Sequence, residues 1–372
     1  MLELADIVRA VGEVYRQRYG ARVLPSHLRA LHDIEACRTA ALGGHVQACD
    51  HCGARQYSYH SCRNRHCPKC HADQTQRWLE RQRARLLPCA YFLVTFTLPA
   101  ELRSLARAHQ KRVYRLLMTA AAAALLTLTA DPRYLGACPG LLAVLHTWTR
   151  ALRYHPHAHI LVTAGGLHRH AHTWVSPTHP TFLVPGRALS RVFRAKFRDG
   201  LRTAGLFEHV PREVWRKEWV VHLQHAGTGE KVLEYLARYV FRIALVNSRL
   251  ERFDAGHVTF RYRDGRSGAR RRCTLDALQF LGRFLQHVLP QGFAKVRHYG
   301  LFSPRHRPLL EHARTALLAP APSLEPGATP EIIPTDSAPN REPGLPSTAR
   351  CPQCRVGLLR IVETLAPQRP PP

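Results

Sequence analysis

The chain has 372 residues, with 54 lysines and arginines set against 26 acidic residues for a formal net charge of +28. That length exceeds one average domain, so two folded units plus connecting or tail segments are expected, and the charge lies far outside ordinary enzyme composition. No stretch reaches the roughly 18 apolar residues that span a bilayer, and the start MLELADIV lacks the basic region and apolar core of a secretion signal.

Such a cationic surface attracts phosphate backbones by releasing condensed counterions, so binding to a polyanion should weaken as salt rises. An arginine-biased composition spread over every surface position is the bland alternative. The expected setting is the cytoplasm, without a membrane partner.

Along the chain, residues 1–30 predict an amphipathic helix, with Leu2, Ile7, Val8, Val11 and Val14 near one face. A cysteine-rich segment follows at 37–71. Tyr91 to Leu98 (YFLVTFTL) predicts a strand stopped by Pro99, and Glu101 to about Thr129 a long helix ending at Asp131-Pro132. Leu141 to Trp148 and His157 to Thr163 predict the two strands of an antiparallel hairpin. Arginines recur on a helical period over Leu189 to Ala204, Trp219 to Leu223 reads as a short strand, and Glu230 to Leu245 as a helix. Val258 to Tyr262 and Arg272 to Leu275 flank DGRSGARR as a second, basic hairpin, and Ala277 to Val288 is helical. This alternation predicts an α+β sheet with helices packed on it. Proline, serine and glycine dominate from Ala316 to Ser347, the composition of a disordered linker, and a lone Cys351-x2-Cys354 follows.

Six of the eleven cysteines crowd into Cys37 to Cys70, and in a reducing compartment they argue for metal ligation before disulfides. Cys49-x2-Cys52 and Cys67-x2-Cys70 form two knuckles, each offering two thiolates to one tetrahedral Zn²⁺. Cys37 with His45, Cys62 and His66 is a candidate second ion site. Arg55, Arg63, Arg65 and Lys69, with Tyr57 and Tyr59, suggest a finger that grips DNA, although basic residues around a purely structural zinc look much the same.

The run HPHAHI puts His155, His157 and His159 on one face of a strand, because side chains alternate with period two. Their apolar neighbours Ala158, Ile160, Leu161 and Val162 make an unliganded imidazole costly to bury there. Two imidazoles on a rigid strand suit a divalent ion that keeps open positions for a phosphate oxygen. Either His146 or His155 can supply a third ligand. Farther on, EKVLEYLARYVFR places Tyr235 and Tyr239 one turn apart on a helix, with Arg238 and Arg242 in a neighbouring row. A phenol attacking phosphorus conserves the energy of the cleaved linkage in a phosphotyrosine, so strand transfer needs no nucleoside triphosphate. Val232, Leu236, Tyr239, Val240 and Ile243 also read as an ordinary apolar stripe.

Together, CRTAALGGHVQACDHCG with SCRNRHCPKC, LHTWTRALRYHPHAHILV and YLARYVFRIALVNSR resemble, in order and context across roughly residues 30–300, the two-tyrosine HUH transposases of the IS91 group. The resemblance implies a zinc-binding, DNA-binding domain over 1–88, an HUH nuclease domain over 89–310 and a proline-rich tail over 311–372. It implies nicking and rejoining of single-stranded DNA at insertion-sequence ends, through a covalent 5′-phosphotyrosine, in rolling-circle-like transposition. His157 and His159 resemble the pair that holds Mg²⁺ or Mn²⁺, and Tyr235 and Tyr239 the paired nucleophiles. No motor motif is present, so a host helicase is an expected partner. A plasmid replication initiator or relaxase shares this chemistry, and a histidine-metal hydrolase or a non-catalytic zinc-finger DNA-binding protein are readings from other classes.

Overall fold

A computed structural model of the chain describes residues 2–70, 78, 80, 82–83, 85–168, 170–228, 244–265, 267–318 and 350–368. In chain order the first elements are α1 (Leu4–Tyr19), α2 (Pro25–Ala36), β1 (Gly44–Cys49), β2 (Arg55–Tyr59) and β3 (Ala90–Thr97). Next come α3 (Arg103–Ala108), α4 (Gln110–Thr129), β4 (Gly140–Trp148), β5 (Tyr154–Thr163), β6 (Gly166–Leu167), β7 (Trp174–Val175) and α5 (Gly186–Thr203). The remainder are β8 (Val221–Thr228), β9 (Leu250–Asp254), β10 (His257–Arg263), β11 (Arg270–Asp276), α6 (Ala277–Leu285), β12 (Val296–Gly300), α7 (Arg307–Leu318) and β13 (Leu359–Leu365). They fall into two compact units, Met1–Glu35 with Arg63–Leu318, and Ala36–Cys62 with Ala319–Pro372.

The larger unit is organised on a five-stranded antiparallel sheet in the order β12-β4-β5-β3-β8. Strand alternation sends Phe92, Val94 and Phe96 of β3, Ala158, Ile160 and Val162 of β5, and Leu141, Ala143 and Leu145 of β4 to one face. There they join Leu117 and Leu125 of α4 and Phe193 and Phe197 of α5 in the main core. The opposite face is covered at one end by Leu310 and Ala313 of α7, against Tyr91, Leu142 and Leu161. The other end of that face carries the histidines.

Helix α4 is long and apolar enough, by length and composition, to cross a membrane. In this unit it is a core helix: Val113, Tyr114, Leu117, Ala121, Ala124 and Leu125 are all fully buried against the sheet and α5.

The sequence reading and the structure differ in specific places. The N-terminal helix is two, parted at Gly20, whose positive φ of 37° breaks the helical path. The helix expected from Glu101 is likewise divided, because His109 adopts φ −123° and ψ 45° between α3 and α4. Strand β8 extends to Thr228, β9 adds a third strand to the basic hairpin, and β12 completes the main sheet at the β4 edge. The helix expected over 230–245 and most of the proline-rich linker lie outside the described residues.

In the smaller unit β13, β1 and β2 form a three-stranded antiparallel sheet. The far C-terminal segment is therefore a partner of β1, with Leu359 opposite Cys49 and Leu365 opposite Gly44.

Candidate functional site

Antiparallel register assembles the histidine cluster. His146 of β4 sits directly opposite His157 of β5, and His159 follows two residues later on the same face. Ring centroids are 5.4 Å apart for His146 and His157, 4.7 Å for His146 and His159, and 4.9 Å for His157 and His159. One ligand nitrogen from each lies within 4.8 Å of the others. Of the two candidates for third member, the geometry selects His146. The Nδ1 of His155 instead accepts a hydrogen bond from Nη2 of Arg103 at 2.9 Å.

Neighbouring groups orient the rings. His157 donates from Nδ1 to the carbonyl of His155 at 2.7 Å, which leaves Nε2 as the nitrogen that could serve a cation. Nδ1 of His159 is 3.0 Å from the Thr95 hydroxyl, and Thr95 is its register partner on β3. The Trp148 ring stacks on His146 at 4.7 Å, and the Lys295 ammonium lies 4.9 Å from the Trp148 centroid. Burial pushes His157 down to about 4, so its imidazole is neutral near pH 7 and keeps a lone pair for a cation. Burial, helped by the Arg65 charge, lowers Lys295 to about 7. Thr95 and Trp148 were not foreseen; only the strand register brings them to the cluster.

A basic groove lies at the neighbouring sheet edge. Thr97 pairs with His157, and its N–H donates to the Val220 carbonyl at 3.1 Å just before β8 begins. Two strand spacings, about 10 Å, therefore separate Val220 from His157. Val220 lines a groove of about 730 Å³ with Arg187, Ser190, Arg191, Arg194 and Arg216. Helix α5 buries Leu189, Phe193, Phe197 and Leu201 at four-residue spacing, which turns its arginines outward. Ser190 and Arg194 donate to the carbonyls of Trp219 and Lys217, each at 2.6 Å, and so fix the opposite wall.

The described cysteines group differently from the sequence expectation: Cys49 and Cys52 form a quartet with Cys351 and Cys354, ligand sulfurs all within 4.8 Å. Cys49 Sγ is 3.6 Å from Cys354 Sγ, and Cys52 Sγ is 3.7 Å from Cys351 Sγ. Backbone N–H groups of His51, Cys52 and Gly357 point at these sulfurs. The Gly357 contact lowers the Cys354 thiol to about 6. Four thiolates in this arrangement are the donor set of a closed structural zinc site. The knuckle pair Cys67 and Cys70 is buried around the turn Pro68–Cys70 in the larger unit. Tyr235, Tyr239, Arg238 and Arg242 lie outside the described residues.

Comparison with known proteins gives a consistent identity. Over 325 residues the chain is 42% identical to "Putative transposase y4qJ" of Sinorhizobium fredii, covering 82% of this chain and 81% of that one. Over 291 residues it is 30% identical to the "Transposase for insertion sequence element IS801" of Pseudomonas savastanoi pv. phaseolicola, covering 73% and 68%. The chain belongs to the IS91 family of transposases. Residues 7–98 of this IS91-family transposase match the transposase zinc-binding domain, and residues 140–308 match a domain described as "Putative transposase". No solved structure matches it. As a transposase it acts on DNA, cutting and transferring strands, and Cys49 and Cys52 of the quartet fall within its zinc-binding domain.

Proposed function

We propose that this IS91-family transposase nicks and rejoins single-stranded DNA at insertion-sequence ends, with Tyr235 and Tyr239 as nucleophiles. The observation that carries the reading is the cluster of His146, His157 and His159 on one sheet face, with His146 and His159 buried. Three imidazoles on one sheet face can hold a divalent cation and leave coordination positions open to substrate; imidazole by itself favours softer ions, and the likeness to two-tyrosine HUH transposases is what selects Mg²⁺ or Mn²⁺. Bound there, the cation supplies Lewis acidity toward a phosphate oxygen.

The chain's own residues do the rest. Arg187, Arg191, Arg194 and Arg216 hold phosphates of the incoming strand along the groove beside β8. One tyrosine oxygen attacks phosphorus; its bond to the 5′ phosphate forms as the bond to the 3′ oxygen breaks, and that oxygen takes a proton. The second tyrosine serves the other cleavage. Attack by a free 3′ hydroxyl on a phosphotyrosine then reseals DNA and returns the phenol. Arg238 or Arg242 neutralises charge developing on the phosphate. A host helicase separates the duplex, in the bacterial cytoplasm at the nucleoid.

The test incubates labelled single-stranded element ends with protein and Mn²⁺, comparing wild type with Tyr235→Phe, Tyr239→Phe and the double variant. A denaturant-resistant protein–DNA adduct is expected in wild type and absent from the double variant. An adduct that survives the double substitution overturns the tyrosine assignment.

A further inference from the structure

Strands β9, β10 and β11 form an antiparallel meander in the larger unit. Val258, Phe260 and Leu275 turn inward and are buried, with Phe260 6.0 Å from Phe280 of α6. Strand alternation sends the intervening residues outward. On that face Thr259 stands opposite Thr274, their hydroxyls 2.9 Å apart, then Arg261 opposite Arg272, then Arg263 opposite Arg270. Arg252 lies opposite Thr259 on the third strand. All five arginines are exposed.

Like charges placed directly opposite one another weaken a sheet, yet this hairpin carries two such rows in succession. Local carboxylates relieve only part of the repulsion. Glu251 pairs with Arg272 and Asp254 with Arg252, each at 2.8 Å. Asp276 is occupied as the N-cap of α6, accepting from the N–H groups of Leu278 and Gln279. Among the described residues no carboxylate pairs with Arg261, Arg263 or Arg270. Arg261 donates to the Ser248 carbonyl at 2.9 Å and Arg263 to the Gly268 carbonyl at 2.7 Å, contacts that hold the guanidiniums in place without neutralising them.

We propose that the outer face of β9–β11 is a binding surface for duplex DNA, separate from the single strand handled at the histidine cluster. Proteins that hold single strands combine charge with aromatic rings on which unpaired bases stack. This face presents arginine and threonine and, among its described residues, no phenyl, phenol or indole ring; His257 at its end holds its imidazole to the Ala255 carbonyl at 2.9 Å, and Tyr262, opposite Arg271, belongs to the other face. A duplex has its bases already stacked and offers phosphates, and its major groove admits a two-stranded ribbon. The surface therefore grips the double-stranded flank of a DNA end. It does not depend on the tyrosine chemistry.

The experiment uses the full chain carrying Arg261→Gln, Arg263→Gln, Arg270→Gln and Arg272→Gln together, and the two strand-wise pairs R261Q/R263Q and R270Q/R272Q. Probes are a fluorescent DNA duplex, a thymidine homopolymer of equal length and an A-form RNA duplex. For the quadruple variant, duplex DNA affinity should fall at least tenfold at physiological salt. Its slope of log K against log salt should become shallower by about 3 to 4, from about 0.9 per lost phosphate contact. Each pair should show an intermediate loss, with homopolymer binding and single-strand nicking within twofold of wild type. Melting temperature should be unchanged or higher, because opposed like charges are removed. Unchanged duplex affinity, an equal loss for duplex and homopolymer, or preference for the RNA duplex each overturns the proposal. Should the quadruple variant fail to fold, the pairs decide by the same criteria.

Discussion

The sulfurs of Cys52 and Cys351 lie 3.7 Å apart although 299 positions separate them in the chain. A zinc knuckle near the N-terminus is thus completed by the last cysteines of the sequence. Replacing Cys351 and Cys354 with serine is expected to remove one zinc equivalent per chain. Elemental analysis of purified protein checks this, and an unchanged zinc content contradicts it.

Gly357 seats against this quartet so closely that a Cβ there would lie 2.5 Å from Cys49 Sγ and 2.6 Å from Cys49's neighbour His51 at its Cβ. A sulfur held by a metal cannot retreat without opening the site. Gly357→Ala should therefore raise zinc loss to a chelator by tenfold or more, measured as release kinetics with a chromogenic chelator, whereas Gly265→Ala, with nothing near its missing Cβ and a backbone outside the left-handed region, serves as the comparison.

His146→Ala and His155→Ala separate the two candidate third ligands. His146 shares the cluster with His157 and His159, whereas His155 is engaged by Arg103. The first substitution should weaken Mn²⁺ binding, read by calorimetry, well beyond tenfold, and the second should have little effect. Thr95→Val removes the hydroxyl beside His159 Nδ1 and should cost roughly 10-fold to 100-fold.

Tyr114 of α4 and Tyr154 of β5 share a buried hydrogen bond of 2.6 Å between their hydroxyls. Tyr114→Phe leaves the Tyr154 hydroxyl buried without that partner, a loss of about 1–3 kcal/mol. Replacing both with phenylalanine should be milder than the sum of the single substitutions. Urea unfolding of the two single variants and the double variant closes the cycle.

His287 is buried between β4 and the turn before β5, its Nδ1 3.3 Å from the Thr147 hydroxyl and its Nε2 3.4 Å from the Leu152 carbonyl. Burial depresses its folded-state value to about 4. The unfolded imidazole takes a proton near pH 6.5, so its contribution is complete above that pH and drains away as the pH falls toward 4. The loss over this window is about 3 kcal/mol. His287→Asn should flatten the corresponding part of a plot of unfolding free energy against pH.

Much of the site was legible because local periodicity encodes it. The period-two run His155, His157, His159 requires only that its segment be a strand, and β5 is one. The choice of His146 over His155 could not be read, because it depends on which residue of β4 the register sets against His157. Strand β12 escaped notice for a related reason: its residues are half-buried apart from Gly300, so VRHYG shows no apolar alternation. The arginine period of Leu189 to Ala204 did foretell α5, whose buried leucines and phenylalanines confirm the helical stripe.

By itself the sequence determined which chemistry the chain carries: thiolate pairs at knuckle spacing, imidazoles alternating on a strand, and an excess of cationic charge, all properties of residues close together in the chain. Which thiolates meet was decided only by tertiary structure. Cys49 and Cys52 have the same spacing as Cys67 and Cys70, so nearby sequence supplied a plausible partner. The pairing of β13 with β1 brings Cys351 and Cys354 to them instead. Backbone hydrogen bonds between distant strands fix that choice, and no local pattern reports a contact closed by the far end of the chain.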